Sequence, residues 1–229
     1  DGTQITTNGG NITLGGGATG VYGGYGYTNG YDQRGIEILN STLNAGGGNI
    51  SLKGRSTYND GGIRLTGTRF LTTGAGNIEI FGEGAGNYYG LGFNGGVSEI
   101  RTVSGDIRMY GVSENAGNTA IGLWNNSSVN IISNSGNINL YGLQTNAGGG
   151  TGLGIEAGSS LYVGSPGDNS FTASGDLACY MSGGTNITGT LRFMSSGDLR
   201  ILPYSGSFYT SVTLPSGSLE RIFDTVSIG

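Results

Sequence analysis

The chain has 229 residues, a formal net charge of −5 at pH 7, and 50 Gly but no His. The missing histidine excludes a Ser-His-Asp triad and a His-ligated zinc site, and the acidic balance leaves no basic stripe to bind nucleic acid. The single cysteine, Cys179, allows no internal disulfide, and no apolar run is long enough for a membrane-spanning helix.

From residue 10 onward one short motif recurs: Gly, then Asn or Asp, then Ile or Leu, any residue, and an apolar residue. Its copies begin at Gly10, Gly48, Gly76, Gly105, Gly136, Gly175 and Gly197. In the middle of the chain the copies are about 29 residues apart, a period typical of repeat architectures. The motif alternates apolar and polar residues, which indicates a short strand with one buried face.

Two further strand-like pieces lie between successive copies of the motif, bounded by Gly, Asn or Ser. The first kind occupies residues 36–38, 63–65, 91–93, 121–123 and 153–155. The second kind occupies residues 70–71, 100–103, 129–131 and 161–163. Three short strands per repeat, without helical periodicity, predict an all-β fold. We expect a parallel β-solenoid, in which each strand pairs with its equivalent in the next coil.

The alternation also predicts which side chains face the core. In the motif strand that begins at Ile107, the side chains of Ile107 and Met109 point inward, whereas Arg108 and Tyr110 point outward. The Asn or Asp before the first inward residue falls at a corner of the coil. We expect the corner residues to bond from coil to coil, with Asp106 interrupting a ladder formed by Asn11, Asn49, Asn77 and Asn137.

The repeats divide the chain at residue 202. Residues 1–202 are predicted to form the solenoid, with roughly seven to eight coils, and residues 203–229 an irregular cap or junction that ends in a strand. Strand-like segments occur near both ends, at residues 4–6 and 225–229. Because uncovered strand edges invite pairing, we expect the solenoid to continue, either in a longer polypeptide or by stacking on identical copies.

The Gly-Asn-Ile-x-Leu copies and connecting pieces such as residues 131–137 resemble the filamentous haemagglutinin and adhesin group of bacterial exoproteins. This group includes two-partner-secretion proteins and autotransporter passengers, and the resemblance covers most of residues 5–202. It implies a right-handed β-helix shaft, located outside the cell or on its surface, with identical copies or neighbouring modules of one filament as partners. The Asn-Pro-Asn motifs of the secretion domain are not found in the sequence, which implies an interior part of the shaft.

The outward residue after the first core position of each motif offers little chemistry. In chain order this column reads Thr13, Ser51, Glu79, Arg108, Asn139, Ala178 and Arg200. It holds one carboxylate, whereas a glycan-cleaving β-helix needs clustered acids. We interpret Glu79 and Arg108 as an exposed ion pair between coils, and we predict a non-catalytic protein without a cofactor.

Three aspartates lie near the last motif copies. Asp176 and Asp198 occupy equivalent corners, and Asp168 lies close to them in sequence. Stacked carboxylates would repel each other, and a bound calcium ion would relieve that repulsion. Solvated turn aspartates are the simpler interpretation, because the nine-residue calcium-binding repeat is not found in the sequence, and no metal site is predicted.

The outward residue predicted to end the motif strand is aromatic in four consecutive copies: Phe81, Tyr110, Tyr141 and Tyr180. In-register stacking would place the rings about 5 Å apart. Either the rings shield the sheet by stacking on one another, or they form a contact surface for a neighbouring shaft or for sugar rings. Further tyrosines, in 22–27 and 88–89, interrupt the repeat and are expected in loops, where binding contacts often lie.

Two other classes of solenoid remain as alternatives. A carbohydrate-binding or carbohydrate-cleaving β-helix of the lyase or tailspike kind would use the same fold, but the cleaving enzymes need acids and bases that this chain does not cluster. An ice-binding solenoid needs a flat Thr-x-Thr ladder. Residues 66–68 and 188–190 read Thr-Gly-Thr, but the pattern does not recur in successive coils.

Overall fold

The fold is that of a computed structural model of the chain. It describes residues 1–15, 34–56, 60–84, 88–114, 118–145 and 151–163, and the backbone of strands at 177–181, 185–187, 190–193, 199–203 and 226–228. Every helical or strand element in these ranges is a β-strand, numbered β1 to β21 in chain order. The described part of the chain contains no helix that is long and apolar enough to cross a membrane.

The strands form three parallel sheets, because each coil contributes one strand to each sheet. Sheet A contains β1 (Gln4–Thr6), β4 (Thr42–Asn44), β7 (Arg69–Leu71), β10 (Val97–Thr102), β13 (Ser128–Ser133), β16 (Ser160–Val163) and β19 (Thr190–Phe193). Sheet B contains β2 (Ile12–Leu14), β5 (Ile50–Ser56), β8 (Ile78–Gly84), β11 (Ile107–Ser113), β14 (Ile138–Gln144), β17 (Leu177–Met181), β20 (Leu199–Pro203) and β21 (Val226–Ile228). Sheet C contains β3 (Ile36–Leu39), β6 (Ile63–Thr66), β9 (Leu91–Asn94), β12 (Thr119–Trp124), β15 (Thr151–Ile155) and β18 (Thr185–Ile187).

This arrangement confirms the predicted all-β parallel β-solenoid with about three strands per coil. Sheet B is built from the repeated motif, and sheets C and A are built from the two kinds of connecting strand. About four coils, from β3 to β14, have all three strands and most of their turns in the described residues, so the predicted number of roughly seven to eight coils is not confirmed. The division of the chain at residue 202 stays a prediction.

The inner faces of the sheets meet in a narrow core of stacked aliphatic and aromatic side chains. Ile107 pairs in register with Ile78 of the preceding coil and Ile138 of the following coil, and all three side chains are buried. In the same strand Met109 is buried, whereas Arg108 is exposed. The predicted inward and outward faces of the motif strand are therefore confirmed.

Buried hydroxyl groups complete the turn from sheet A to sheet B. The Oγ1 of Thr72 donates to the Gly76 carbonyl at 2.7 Å, and the Oγ1 of Thr102 donates to the Gly105 carbonyl at 2.6 Å. In the next coil the hydroxyl of Ser133 also donates to the Gly105 carbonyl, at 2.9 Å. Since an unpaired buried carbonyl costs about 1–3 kcal/mol, the small hydroxyl residues stabilise these turns.

Space requires glycine at the opening position of four described motif copies, Gly48, Gly76, Gly105 and Gly136. A Cβ atom at Gly105 would lie 2.0 Å from the carbonyl oxygen of Gly76, one coil earlier. A Cβ atom at Gly136 would lie 2.1 Å from the carbonyl oxygen of Gly105. Real Cβ atoms essentially never approach another heavy atom within 3.0 Å. The backbones of successive coils therefore touch at this corner, and any larger residue would push them apart.

The corner Asn and Asp residues form a continuous hydrogen-bonded ladder. The Oδ1 of Asn11 accepts from the N–H of Asn49 at 2.9 Å, and the Oδ1 of Asn49 accepts from the N–H of Asn77 at 2.8 Å. The Oδ1 of Asn77 then accepts from the N–H of Asp106 at 2.7 Å, and the Oδ1 of Asp106 from the N–H of Asn137 at 2.9 Å. The prediction that Asp106 interrupts the ladder is wrong. Each bond needs only a side-chain oxygen and a main-chain N–H, so a carboxylate serves as well as an amide.

Candidate functional site

The predicted aromatic column lies on the outer face of sheet B. Phe81, Tyr110 and Tyr141 occupy equivalent positions of β8, β11 and β14, and each is partly exposed. The rings of Phe81 and Tyr110 have centroids 5.6 Å apart and are tilted by 33°. The rings of Tyr110 and Tyr141 are stacked, with centroids 4.3 Å apart and planes within 5°. The backbone of Tyr180 pairs with that of Tyr141, whereas the Tyr180 side chain lies outside the described residues.

Aromatic pairs of this kind stabilise a fold by about 0.5–1.5 kcal/mol beyond their buried area. The stack from Phe81 to Tyr141 therefore strengthens the contacts between coils whether or not anything binds to it. Its role as a contact for a neighbouring shaft or for sugar rings stays a prediction.

The polar column beside this stack does not have the predicted ion pair. Arg108 is level with Glu79 of the preceding coil, but its guanidinium lies 2.9 Å from the Oδ2 of Asp106. No ion pair joins Arg108 to Glu79 in the described structure, so that prediction is wrong. The Arg108 side chain reaches the corner of its own strand and bonds there, where it also balances the carboxylate in the ladder.

A groove of about 400 Å³ lies over the outer face of sheet C. Its lining combines three aromatic rings with two arginines, one aspartate and a group of amide and hydroxyl side chains. These residues are Arg34, Asp60, Arg64, Tyr88, Tyr89, Asn94, Asn118, Thr119, Trp124 and Asn125. They come from three successive strands of the sheet, β6, β9 and β12, and from the turns beside them, and Arg34 lies just before β3, so the groove crosses several coils.

Glycines in the outward column of sheet C form the floor of this groove. Gly92 and Gly122 occupy equivalent positions in β9 and β12. A Cβ atom at Gly122 would lie 2.1 Å from the indole ring of Trp124, and one at Gly92 would lie within 2.6 Å of both the Tyr89 and Trp124 rings. Because the glycines lack side chains, the two rings lie directly against the backbone of the sheet.

The aromatic rings contact one another above this floor. The Tyr89 and Trp124 rings have centroids 4.7 Å apart, with an angle of 46° between their planes. The Tyr88 ring meets Tyr89 edge-on at 6.3 Å, and the Tyr88 side chain is 45% exposed. The result is a broad apolar surface outside the core, with one ring projecting at its edge.

A chain of ion pairs borders the aromatic rings. The guanidinium of Arg34 lies 3.1 Å from Glu37 and 3.5 Å from Asp60. The guanidinium of Arg64 lies 3.5 Å from the same Glu37 carboxylate. Asp60 is buried, and one of its oxygens accepts from the N–H of Gly61 at 2.7 Å. Two cations face two carboxylates, so this side of the groove is charge-balanced.

The hydroxyl of Tyr89 belongs to this polar network. Burial raises the pKa of Tyr89 above its usual value, and the hydrogen bond with Arg34 opposes that shift in part. Burial alone would lower the pKa of Arg34, but its bond to Tyr89 and the charges of Asp60 and Glu37 raise it overall. Around neutral pH the phenol is therefore protonated and the guanidinium is charged.

Amide side chains close the other border of the groove. The amide of Asn94 contacts both the Arg64 guanidinium and the Asn125 amide. Asn125 and Asn126 have positive φ angles of 54° and 59° and form the turn after Trp124. The main-chain N–H of Asn125 donates to Glu156 of the next coil at 3.1 Å. This tight turn fixes the position of the indole ring at the end of β12.

Sequence reasoning placed binding contacts at Tyr88 and Tyr89, and the structure places both beside the groove. Sequence reasoning missed Trp124, because this residue lies just after residues 121–123, the part of the strand that was recognised by its alternation. A usable signal was the glycine column Gly92, Gly122 and Gly154, which leaves this outward position of β9, β12 and β15 without a side chain.

The other predictions about binding residues fall outside the described part of the chain. This applies to Asp168, Asp176 and Asp198, and to the tyrosines of residues 22–27. Among the described side chains, no group of three or more His, Cys, Asp and Glu could hold a metal ion.

Comparison of the chain with protein-family models, curated proteins and solved structures gives no match. The fold is one that suits a structural or a binding β-helix. A more specific function therefore has to be inferred from the repeat pattern of the sequence and from the surfaces described above.

Proposed function

We propose that the chain is a non-catalytic shaft segment of an extracellular bacterial filament or adhesin. The observation that carries the proposal is the unbroken register, in which equivalent strands of successive coils pair throughout all three sheets. The motif glycines, the corner ladder and the aromatic stack follow the same coil-to-coil spacing. A rod with three parallel sets of hydrogen bonds between every two coils suits a load-bearing element. The resemblance of the repeats to haemagglutinin-like exoproteins supports the location outside the cell.

The chemistry of the described surface supports the non-catalytic part of the proposal. Glycoside hydrolysis commonly uses two carboxyl groups on either side of the bond that breaks. In the groove over sheet C, the Asp60 carboxylate is buried and engaged with Arg34 and Gly61, and Glu37 is engaged by two arginines. These carboxylates hold the groove together and are poorly placed to exchange protons with a substrate.

The partners of the proposed shaft are further coils, from the same polypeptide or from an identical copy. Among the described strands, β1 and β2 each pair on one side, and strand edges of this kind accept additional strands. The N–H of Ile12 donates to the Asn49 carbonyl at 2.8 Å, toward β5. Since successive residues of a strand point their N–H groups to opposite sides, the N–H of Thr13 points toward the open edge.

The test uses this outward N–H group. We expect the isolated wild-type chain to form rods that lengthen without thickening as its concentration rises, measured by light scattering and negative-stain electron microscopy. Thr13→Pro removes the N–H and blocks the edge, so its particles should stay short. Thr13→Ala keeps the N–H and serves as the matched control, with rods like those of the wild type.

A wild-type chain that stays monomeric at high concentration would contradict end-to-end assembly and would favour a free-standing binding β-helix. Equal rod lengths for Thr13→Pro and the wild type would place the contact elsewhere. Release of reducing ends from a panel of polysaccharides by the purified chain would contradict the non-catalytic part of the proposal.

A further inference from the structure

We propose that the groove over sheet C binds an uncharged oligosaccharide, with Trp124 and Tyr89 as the stacking surface for a sugar ring. This function goes beyond that of a shaft, because it gives one face of the rod a ligand of its own. It does not depend on whether the rods assemble.

The aromatic surface has the features that a sugar ring requires. One face of many pyranose rings is lined by C–H groups and is apolar, and it packs well on a flat aromatic ring. Trp124 and Tyr89 lie outside the core and against the glycine floor, with centroids 4.7 Å apart. The backbone of sheet C supports both rings from below. The stacking surface is therefore in place before a ligand arrives.

The polar groups around the rings match the hydroxyl groups of a sugar. Asn94, Asn118, Asn125 and Thr119 border the groove beside the aromatic rings. Each amide provides both donors and acceptors, and the threonine hydroxyl does the same. A few such groups beside an apolar surface are typical of sites that orient a small polar ligand.

The charge balance favours an uncharged ligand over an acidic one. Arg34 and Arg64 would attract a uronate or a sulfate if they stood alone. They are instead bound to Glu37 and Asp60, two carboxylates within 3.5 Å of the guanidinium groups. An anionic sugar would have to displace these carboxylates or approach them closely, and like charges at short distance repel.

The size of the groove favours a chain of sugars over a single one. Its volume of about 400 Å³ lies within the usual range for small-ligand sites, about 300–1,000 Å³. Its lining residues lie on three neighbouring strands, β6, β9 and β12, and just before β3, where Arg34 lies. At a spacing of about 4.8 Å between strands, the three strands alone span about 10 Å, which is longer than one sugar ring.

The experiment uses the intrinsic fluorescence of the protein, because Trp124 is the single tryptophan of the chain. The folded wild-type chain is titrated with three uncharged hexasaccharides (cellohexaose, mannohexaose and chitohexaose) and with hexagalacturonate as an anionic probe of the same length. We expect a saturable change in Trp124 emission with at least one uncharged probe, at a Kd of about 1 mM or tighter. We expect no saturable change with hexagalacturonate.

Variants measured by titration calorimetry connect binding to the proposed residues. Trp124→Ala should weaken binding at least about tenfold, whereas Trp124→Phe, which keeps a flat ring, should retain most of it. Tyr141→Ala removes a ring from the separate stack on sheet B and should leave the affinity unchanged. Far-UV circular dichroism should show all three variants folded, since neither side chain belongs to the buried core.

Several outcomes would overturn the proposal. The first is that none of the uncharged probes binds the wild type, and the second is that hexagalacturonate alone binds. The third is that Trp124→Ala binds as tightly as the wild type, and the fourth is that Tyr141→Ala loses binding while Trp124→Ala keeps it. The last result would assign the sugar contact to the stack on sheet B.

Discussion

Replacing Gly105 by Ala tests how closely the coils are packed. In the native structure the added methyl carbon would lie 2.0 Å from the carbonyl oxygen of Gly76 and 2.5 Å from its carbonyl carbon. Ordinary van der Waals contact begins at 3.4 Å, so the methyl group is more than an ångström too close. The clashing atoms belong to the backbone, and the ladder bonds on either side of the corner hold that backbone in place.

The overlap therefore has to be relieved by separating two coils. Overpacking of a well-packed site costs about 1–3 kcal/mol, and occasionally more. Since no flexible side chain can move away, we expect the upper end, about 3 kcal/mol. In a chain of this size that corresponds to a fall in Tm of about 6–12 °C. Thermal unfolding followed by far-UV circular dichroism measures the change, and urea titration gives the free energy of unfolding independently.

Gly47→Ala is the matched control. Gly47 lies in the turn one residue before a motif glycine, and an added Cβ atom there meets nothing within 4 Å. We expect its free energy of unfolding to stay within about 0.5 kcal/mol of the wild type. If Gly105→Ala and the Gly47→Ala control have the same Tm, the coils are not in backbone contact at this corner, and the motif glycines need another explanation.

Two further changes probe the core and the corner ladder. Ile107→Asp places a carboxylate between Ile78 and Ile138 in the buried core. Circular dichroism at 25 °C should therefore show an unfolded chain. A folded variant that melts within a few degrees of the wild type would mean that the faces of the strand are inverted. Asp106→Ala removes the acceptor for the Asn137 N–H and should lower the free energy of unfolding by about 1 kcal/mol in urea titrations. Asp106→Asn keeps that acceptor and loses only the exposed ion pair with Arg108, so its free energy of unfolding should stay within about 0.5 kcal/mol of the wild type. Equal losses of stability in the two variants would show that the ion pair, and not the ladder bond, stabilises this corner.

Much of the fold was predictable because a parallel solenoid brings equivalent residues together. Once the motif copies are aligned, the neighbours of Ile107 can be read from the sequence as Ile78 and Ile138, and the structure has these pairs. The same alignment predicted the stack of Phe81, Tyr110 and Tyr141. In such a fold, long-range contacts between coils follow directly from the period of the repeat.

The groove over sheet C was not predictable in this way, because its contacts join residues that are not equivalent. Trp124 packs on Tyr89, which lies in a turn of the preceding coil, and on glycines of two strands. Arg108 shows the same difficulty on a smaller scale. Its guanidinium could reach either Glu79 or Asp106, and only the conformation of the side chain decides between them.

The corner ladder gives the rod a direction. In each of its four described bonds the accepting oxygen belongs to the earlier coil and the donating N–H to the later one. Two rods meeting with like ends would oppose donor to donor or acceptor to acceptor, and the ladder could not continue across the junction. Only head-to-tail contact preserves it. A fibre extended in this way would be polar, with chemically different tips.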